Sequence, residues 1–321
     1  MNGRTALLNE DAKGVYVICA TPFTDDGDID FPSVARLIDF YIGEGVHGIT
    51  LLGVMGEAPK LSDSEQAEFV RFALDHLDGR IPALVGVSNP GIDNLAALAR
   101  MSMEYGAAGV MIAGMPGLKT DEQVYGYFAK VLNKLGPDIP ICLQDYPPTT
   151  TVYMSVPVIN RLINDYTQIK MFKHEDCPGH RKLSQLRNAP ETDSVRRVSI
   201  LTGNGGLYVP QELARGADGI MTGFAFSGML VEVYKLYVDG KAEAGEDLFD
   251  LYLPVLRHEQ QIGFGLALRK ETLRRRGVLA TAKSRDPGPV MDEMDHHEMD
   301  DLFARLKAKL QAAGQTIPEG I

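Results

Sequence analysis

Eight short apolar runs, rich in β-branched residues, punctuate the chain at 14–22, 48–52, 82–87, 109–113, 140–145, 168–176, 198–202 and 219–222. Stretches with helical spacing separate most of them, at 30–43, from Ser62 onward, and at 94–105, 121–135, 155–165 and 207–215. Ser62-Asp63-Ser64-Glu65 has the form of a capping box that opens one of these helices. Strands that are apolar throughout, instead of alternating, are buried on both faces, which is the condition of parallel strands covered by helices. Eight such strand–helix units with short connections predict an α/β fold, a (β/α)8 TIM barrel, with an open doubly wound sheet as the alternative. A threefold echo supports closure: Gly-Val-His-Gly-Ile-Thr at 45–50, Gly-Ala-Ala-Gly-Val-Met at 106–111 and Gly-Ala-Asp-Gly-Ile-Met at 216–221 each pair a helix-ending glycine with one that feeds a strand. Beyond 223 only helical spacing continues, at 227–239, 241–258, 264–276 and 296–310. The predicted division is therefore a barrel over 1–224 with a short N-terminal lead, and a C-terminal helical extension over 225–321 packed on it.

Charge excludes several partners. With 32 Lys+Arg against 43 Asp+Glu, a net −11, the chain lacks the basic stripe that nucleic acids or anionic membranes require. Its one basic cluster, Arg269-Lys270 with Arg274-Arg275-Arg276, falls in a helical pattern with Glu271 and reads as a solvated or subunit-facing helix, with an anion site as the second reading. Cys19, Cys142 and Cys177 are odd in number and show no C-x-x-C spacing, so they point to a reducing compartment. Positions 1–14 carry scattered charges, and no apolar run reaches the length of a membrane span. A cytoplasmic protein with no membrane association is expected.

In a barrel, chemistry belongs at the carboxyl ends of the strands. Lys173 ends the sixth apolar run, where desolvation disfavours the ammonium and frees an amine able to attack a carbonyl carbon. The competing reading is a lysine that snorkels to water or pairs with Glu175 or Asp176. The same mouth would collect Gly53-Val54-Met55-Gly56, Gln144, Tyr146, Asn204, Met221 and Thr222. A glycine-rich strand-to-helix turn can offer backbone N–H groups to a carboxylate, or can simply be a tight turn.

These residues resemble a known family, the Schiff-base aldolases and dehydratases related to dihydrodipicolinate synthase and N-acetylneuraminate lyase, over nearly the whole chain. The family's G-[TS]-T-G-E carboxylate-binding turn is matched by Gly53-Val54-Met55-Gly56-Glu57, followed by Leu61-Ser62-Asp63-Ser64-Glu65 for its L-S-x-x-E. Its G-[IV]-K-[ED] strand is matched by Met171-Phe172-Lys173-His174, which favours Lys173 as the nucleophile. The resemblance implies a small-molecule keto acid as substrate, no cofactor, no metal, and a homo-oligomer, tetramer or dimer.

The departures point to a branch. Gln144-Asp145-Tyr146-Pro147 stands where the family has Y-N-x-P, so Gln144 holds the place of the proton-relay tyrosine, and a glutamine cannot shuttle a proton. The relay threonine is Val54, the tyrosine pair after the fourth strand falls on Met115-Pro116, and the arginine that holds a second carboxylate in the synthase is Thr149. Q-D-x-P is similar to the sugar-acid dehydratase branch, such as 2-keto-3-deoxy-L-arabonate dehydratase. The expectation is a lyase acting on pyruvate or a 2-keto-3-deoxy sugar acid, with Lys173 as nucleophile, Tyr146 and His174 as acid–base groups, and Val54, Met55, Gly56, Gln144, Asn204, Met221 and Thr222 at the substrate. The alternatives are 4-hydroxy-tetrahydrodipicolinate synthase proper, a phosphosugar enzyme using the Gly203-Asn204-Gly205-Gly206 turn, and a keto-acid-binding protein without turnover. His174, Cys177 and His180 do not have zinc-site spacing, and His296-His297 reads as part of a solvated acidic helix start.

Overall fold

In the computed structural model, which describes residues 6–192 and 194–321, eight parallel strands close into one barrel. The strands are β1 Gly14–Ile18, β2 Gly48–Leu51, β3 Ala83–Gly86, β4 Gly109–Ala113, β5 Ile141–Asp145, β6 Ile169–His174, β7 Ser199–Thr202 and β8 Gly219–Thr222. Closure comes from β1 pairing with both β2 and β8. Between the strands run α1 Phe31–Gly43, α2 Asp63–Leu77, α3 Ile92–Glu104, α4 Asp121–Leu135, a single turn α5 Pro147–Thr150, α6 Val156–Asp165, α7 His180–Thr192, α8 Val209–Ala214 and α9 Ser227–Val238. Their starts are written locally. Side-chain caps come from Asp30, Thr120 and Ser155, and Ser62 with Glu65 forms the full reciprocal capping box.

Strand alternation sorts the core into two layers. Tyr16, Ile18, Leu84, Met111, Cys142, Met171, Leu201 and Met221 point inward and fill the lumen. Val15, Val17, Ile49, Val85, Leu143, Phe172 and Ile220 point outward against the helices. The lead closes the far end of the lumen: Leu8 packs on the inward cluster and donates its amide to Ala108. The first five residues of that lead lie outside the described residues.

Three features depart from expectation. Helix α7 had no signature in the sequence, because its apolar face is only Leu183, Leu186 and Ala189 and it contains Pro190. Helix α9, assigned to the extension from sequence, packs back on β1 and β8, with Tyr234 edge-on to His47. It is the barrel's eighth helix, so the extension begins after Val238, with α10 Ala242–Glu259, α11 Gly265–Arg275 and α12 Glu293–Ala312. The basic cluster on α11 is mostly tied down by charge pairs, and of Lys270, Arg274, Arg275 and Arg276 only Arg274 is exposed. Lys270 is wholly buried on Glu57, Arg274 and Arg275 pair with Glu271, and Arg276 reaches Glu44 and the Ala225 carbonyl. Leu266 of α11 packs against the inward cluster, so this helix lies across the carboxyl end of the barrel.

Candidate active site

Lys173 points into the lumen above Met171 and is only 4% exposed. Its Nζ stands 3.0 Å from Glu175 Oε2. The same oxygen accepts a 2.7 Å hydrogen bond from Gln144 Nε2, and Oε1 takes a longer one, 3.4 Å, from the Asn204 amide. Strand period explains the grouping: Met171, Lys173 and Glu175 share one face of β6 and its continuation, and Gln144 lies beside Lys173 in the β5–β6 register. Gly203 makes room, since a Cβ there would collide with the Glu175 carboxylate. Desolvation of two buried ions offsets most of their attraction, so stability gives little reason to keep this pair. Chemically, a carboxylate beside the amine is an acceptor for the proton that a nucleophilic lysine must shed.

The turn after β2 has a backbone form suited to an anion. Residues Val54–Gly56 form one turn of 3-10 helix, in which the Gly56 amide closes on the Gly53 carbonyl and the Glu57 amide on Val54. That leaves the amides of Val54 and Met55 free for a ligand. The Val54 side chain is 56% exposed and Met55 packs into the lumen floor. Glu57 does not face the lumen. It is buried with Lys270 at 2.5 Å and Lys60 at 2.9 Å, and so ties the turn to α11. Two variants separate backbone from side chain. Val54→Thr leaves the amides in place and should change keto-acid affinity less than about threefold, whereas Gly56→Pro removes the closing N–H and should abolish binding. Isothermal titration with pyruvate checks this; equal, mild effects would remove the turn from the site.

The structure does not bring every expected residue to the mouth. His174 faces outward with Phe172, stacks on it, and bonds Gly179 O through Nε2 at 3.0 Å. Burial pushes its pKa down to about 4, which keeps it neutral, and it is separated from the lumen by its own strand. Thr222 likewise shares the outward face with Ile220, its methyl near Gly206. Both are corrections, and both follow from period 2: neighbours of an inward residue point out. Asp145 is outward as well. It pairs with Lys182 at 2.5 Å, and burial raises its pKa to about 6. Tyr146 is half-buried, its phenol pushed up by burial and by the Glu175 carboxylate, with a hydrogen bond to Thr149 and then Arg269 acting the other way. Met221 forms part of the lumen floor, and Asn204 contributes its backbone from a left-handed conformation. The Gly203–Gly206 turn is occupied by protein, with Glu175 at one amide and Gln260 over Gly205, which leaves no cradle for a phosphate.

The Dihydrodipicolinate synthetase family model matches residues 11–308. The chain belongs to that family. It is a family of lyases, dehydratases and synthases of the class I aldolase type, in agreement with the buried lysine at the end of β6. Among its relatives is an L-2-keto-3-deoxyarabonate dehydratase from Azospirillum brasilense, 27% identical over 300 residues, covering 92% of this chain and 94% of that protein. A 4-hydroxy-tetrahydrodipicolinate synthase from Persephonella marina is 29% identical over 75% of this chain and 80% of its own length. A crystal structure of dihydrodipicolinate synthase from Rhodopseudomonas palustris superposes with a TM-score of 0.92, is 44% identical, and covers 94% of this chain and all of the other. Within this family pattern the acid directly follows the lysine. Here that place is His174, on the outer face, and the carboxylate has moved one residue on, to the lumen. Glu175 appeared in the sequence reading only as a neutralising partner of Lys173; the signal that marks it is its i+2 position from the lysine on one strand.

Proposed function

We propose that this protein dehydrates a 2-keto-3-deoxy sugar acid through a Schiff base on Lys173, with Glu175, oriented by Gln144, moving the protons. The carrying observation is the pair of contacts on Glu175 Oε2, 3.0 Å to the amine and 2.7 Å to Gln144, in a site where the family's phenol relay has no counterpart. The substrate carboxylate would lie on the amides of Val54 and Met55, which sets the C2 carbonyl toward Lys173. Attack by the amine expels the carbonyl oxygen as water and forms an iminium, which acidifies C3. Glu175 takes the C3 proton, giving an enamine. Return of that proton to the departing C4 hydroxyl releases water and leaves a conjugated imine, which hydrolysis frees from the lysine. One carboxyl group thus accepts and gives back one proton, and the balance closes. Tyr146, kept protonated by its raised pKa, supplies a hydrogen-bond donor.

Condensation of pyruvate with aspartate semialdehyde is the second reading, favoured by the 44% identity to the Rhodopseudomonas palustris structure. Against it stand Val54, Gln144 and Pro116 in the places of the relay and Thr149 in that of the second-carboxylate arginine. Positioned acid–base groups contribute ~10²–10⁴-fold in rate, so the condensation should be slower by about that factor than in a synthase that keeps its relay. Side-by-side assays of purified protein decide between the two readings: loss of water from 2-keto-3-deoxy acids, followed by mass spectrometry, against consumption of aspartate semialdehyde with pyruvate. Robust condensation with no dehydration would overturn the proposal. Pyruvate binding with neither activity would favour a non-catalytic keto-acid protein, and a homo-oligomer is part of the same proposal.

A further inference from the structure

The guanidinium of Arg269 spends only two of its five N–H donors on protein. Nε donates to Glu259 Oε1 at 2.6 Å and Nη2 to Gln260 Oε1 at 2.6 Å. Its side chain is only 12% exposed, and Glu259 is buried. Helix α11 carries this arginine across the barrel mouth. Leu266, one turn earlier, touches the lumen cluster, and Gln260 fills the space over Gly205, next to the Asn204 amide that faces Glu175. Three cations near this end are committed elsewhere: Lys60 and Lys270 to Glu57, and Lys182 behind the strands to Asp145 and Asp176. We infer that the Arg269–Glu259 pair reads the far end of the substrate, and that it selects keto acids with an uncharged, hydroxyl-bearing tail over those ending in a second carboxylate. The inference rests on the Schiff-base reading above and names the substrate class of that site.

The physical reason is the charge of the pair. A hydroxyl oxygen can accept from the remaining N–H groups of Arg269 at no electrostatic cost. A second carboxylate would leave water for a site whose positive charge Glu259 already neutralises, so its desolvation would go uncompensated. Residue 149, where the resemblance implies an arginine for that carboxylate, is threonine.

The test compares two keto-deoxy acids of equal length, one ending in hydroxymethyl and one in carboxylate, by the rate of borohydride-trapped adduct formation on Lys173. Adduct formation does not depend on turnover. At pH 8, above the value of about 7 to which burial raises Glu259, the pair is in its ionic form. Wild-type protein should trap the hydroxyl-ended acid faster by about tenfold or more, the factor expected for one charge-assisted hydrogen bond. E259Q makes the pair net positive and should shift the ratio about 10- to 100-fold toward the acid-ended compound. R269Q should raise the half-saturating concentration of the hydroxyl-ended acid, and R269Q/E259Q should trap the two alike. A wild-type preference for the acid-ended compound, or the same ratio in all folded variants, overturns the inference. Failure of wild-type protein to trap pyruvate itself falls on the Schiff-base reading instead.

Discussion

Lys173→Ala should abolish the pyruvate adduct trapped by borohydride and reduce dehydration to background. The nearby lysines are held elsewhere: Lys170 sits at the opposite end of β6 on Glu10, Lys182 is behind the sheet on Asp145 and Asp176, and Lys60 and Lys270 are held on Glu57. The variant also leaves Glu175 without its cation, although Gln144 and the Asn204 amide still donate to it. A thermal melt therefore accompanies the assay, so that loss of fold is separated from loss of chemistry. Mass spectrometry of peptides after reduction reads the site directly. An adduct on another residue, or undiminished turnover in Lys173→Ala, would falsify the assignment.

Glu175→Gln should form the adduct more slowly, since the amine loses its proton acceptor, yet still accumulate it, and should lose the reaction. Glutamine has the same shape and can still accept from Gln144, but it cannot take the C3 proton, so kcat should fall by ~10²–10⁴-fold, the range for removing a positioned acid–base group. KM should move far less, because the carboxylate-binding amides of Val54 and Met55 are untouched. The split between trapping and turnover distinguishes this role from a merely structural one. If Glu175 only oriented Lys173, adduct yield and turnover would decline together. Exchange of the C3 protons of pyruvate with deuterium from solvent, followed by NMR, gives a third readout; exchange at the wild-type rate in Glu175→Gln would assign the base to another group.

Much of this architecture was legible from local patterns. The apolar runs name eight strands to within a few residues, because burial on both faces leaves no polar alternation to confuse them. Lys173 and the Gly53–Glu57 turn were legible too, as each lies at the end of a strand and in a barrel those ends converge. The misses have one cause each. Helix α7 buries too narrow a stripe to show periodicity, and α9 is apolar enough to belong to barrel or extension alike. His174 and Thr222 were placed at the substrate by proximity in sequence, where alternation on the strand sends them outward.

Within one element, then, sequence alone determined the fold class and the place of Lys173 at the end of a strand, since a strand's period of two and a helix's of 3.6 follow from backbone geometry. Only the tertiary structure decided what surrounds the amine. Gln144 meets Glu175 through the register of β5 on β6, Glu57 turns away to bury Lys270, and Arg269 arrives over the mouth on a helix from the far end of the chain. Register, helix placement and the pairing of distant charges depend on how separate elements pack against one another, and no local period encodes that.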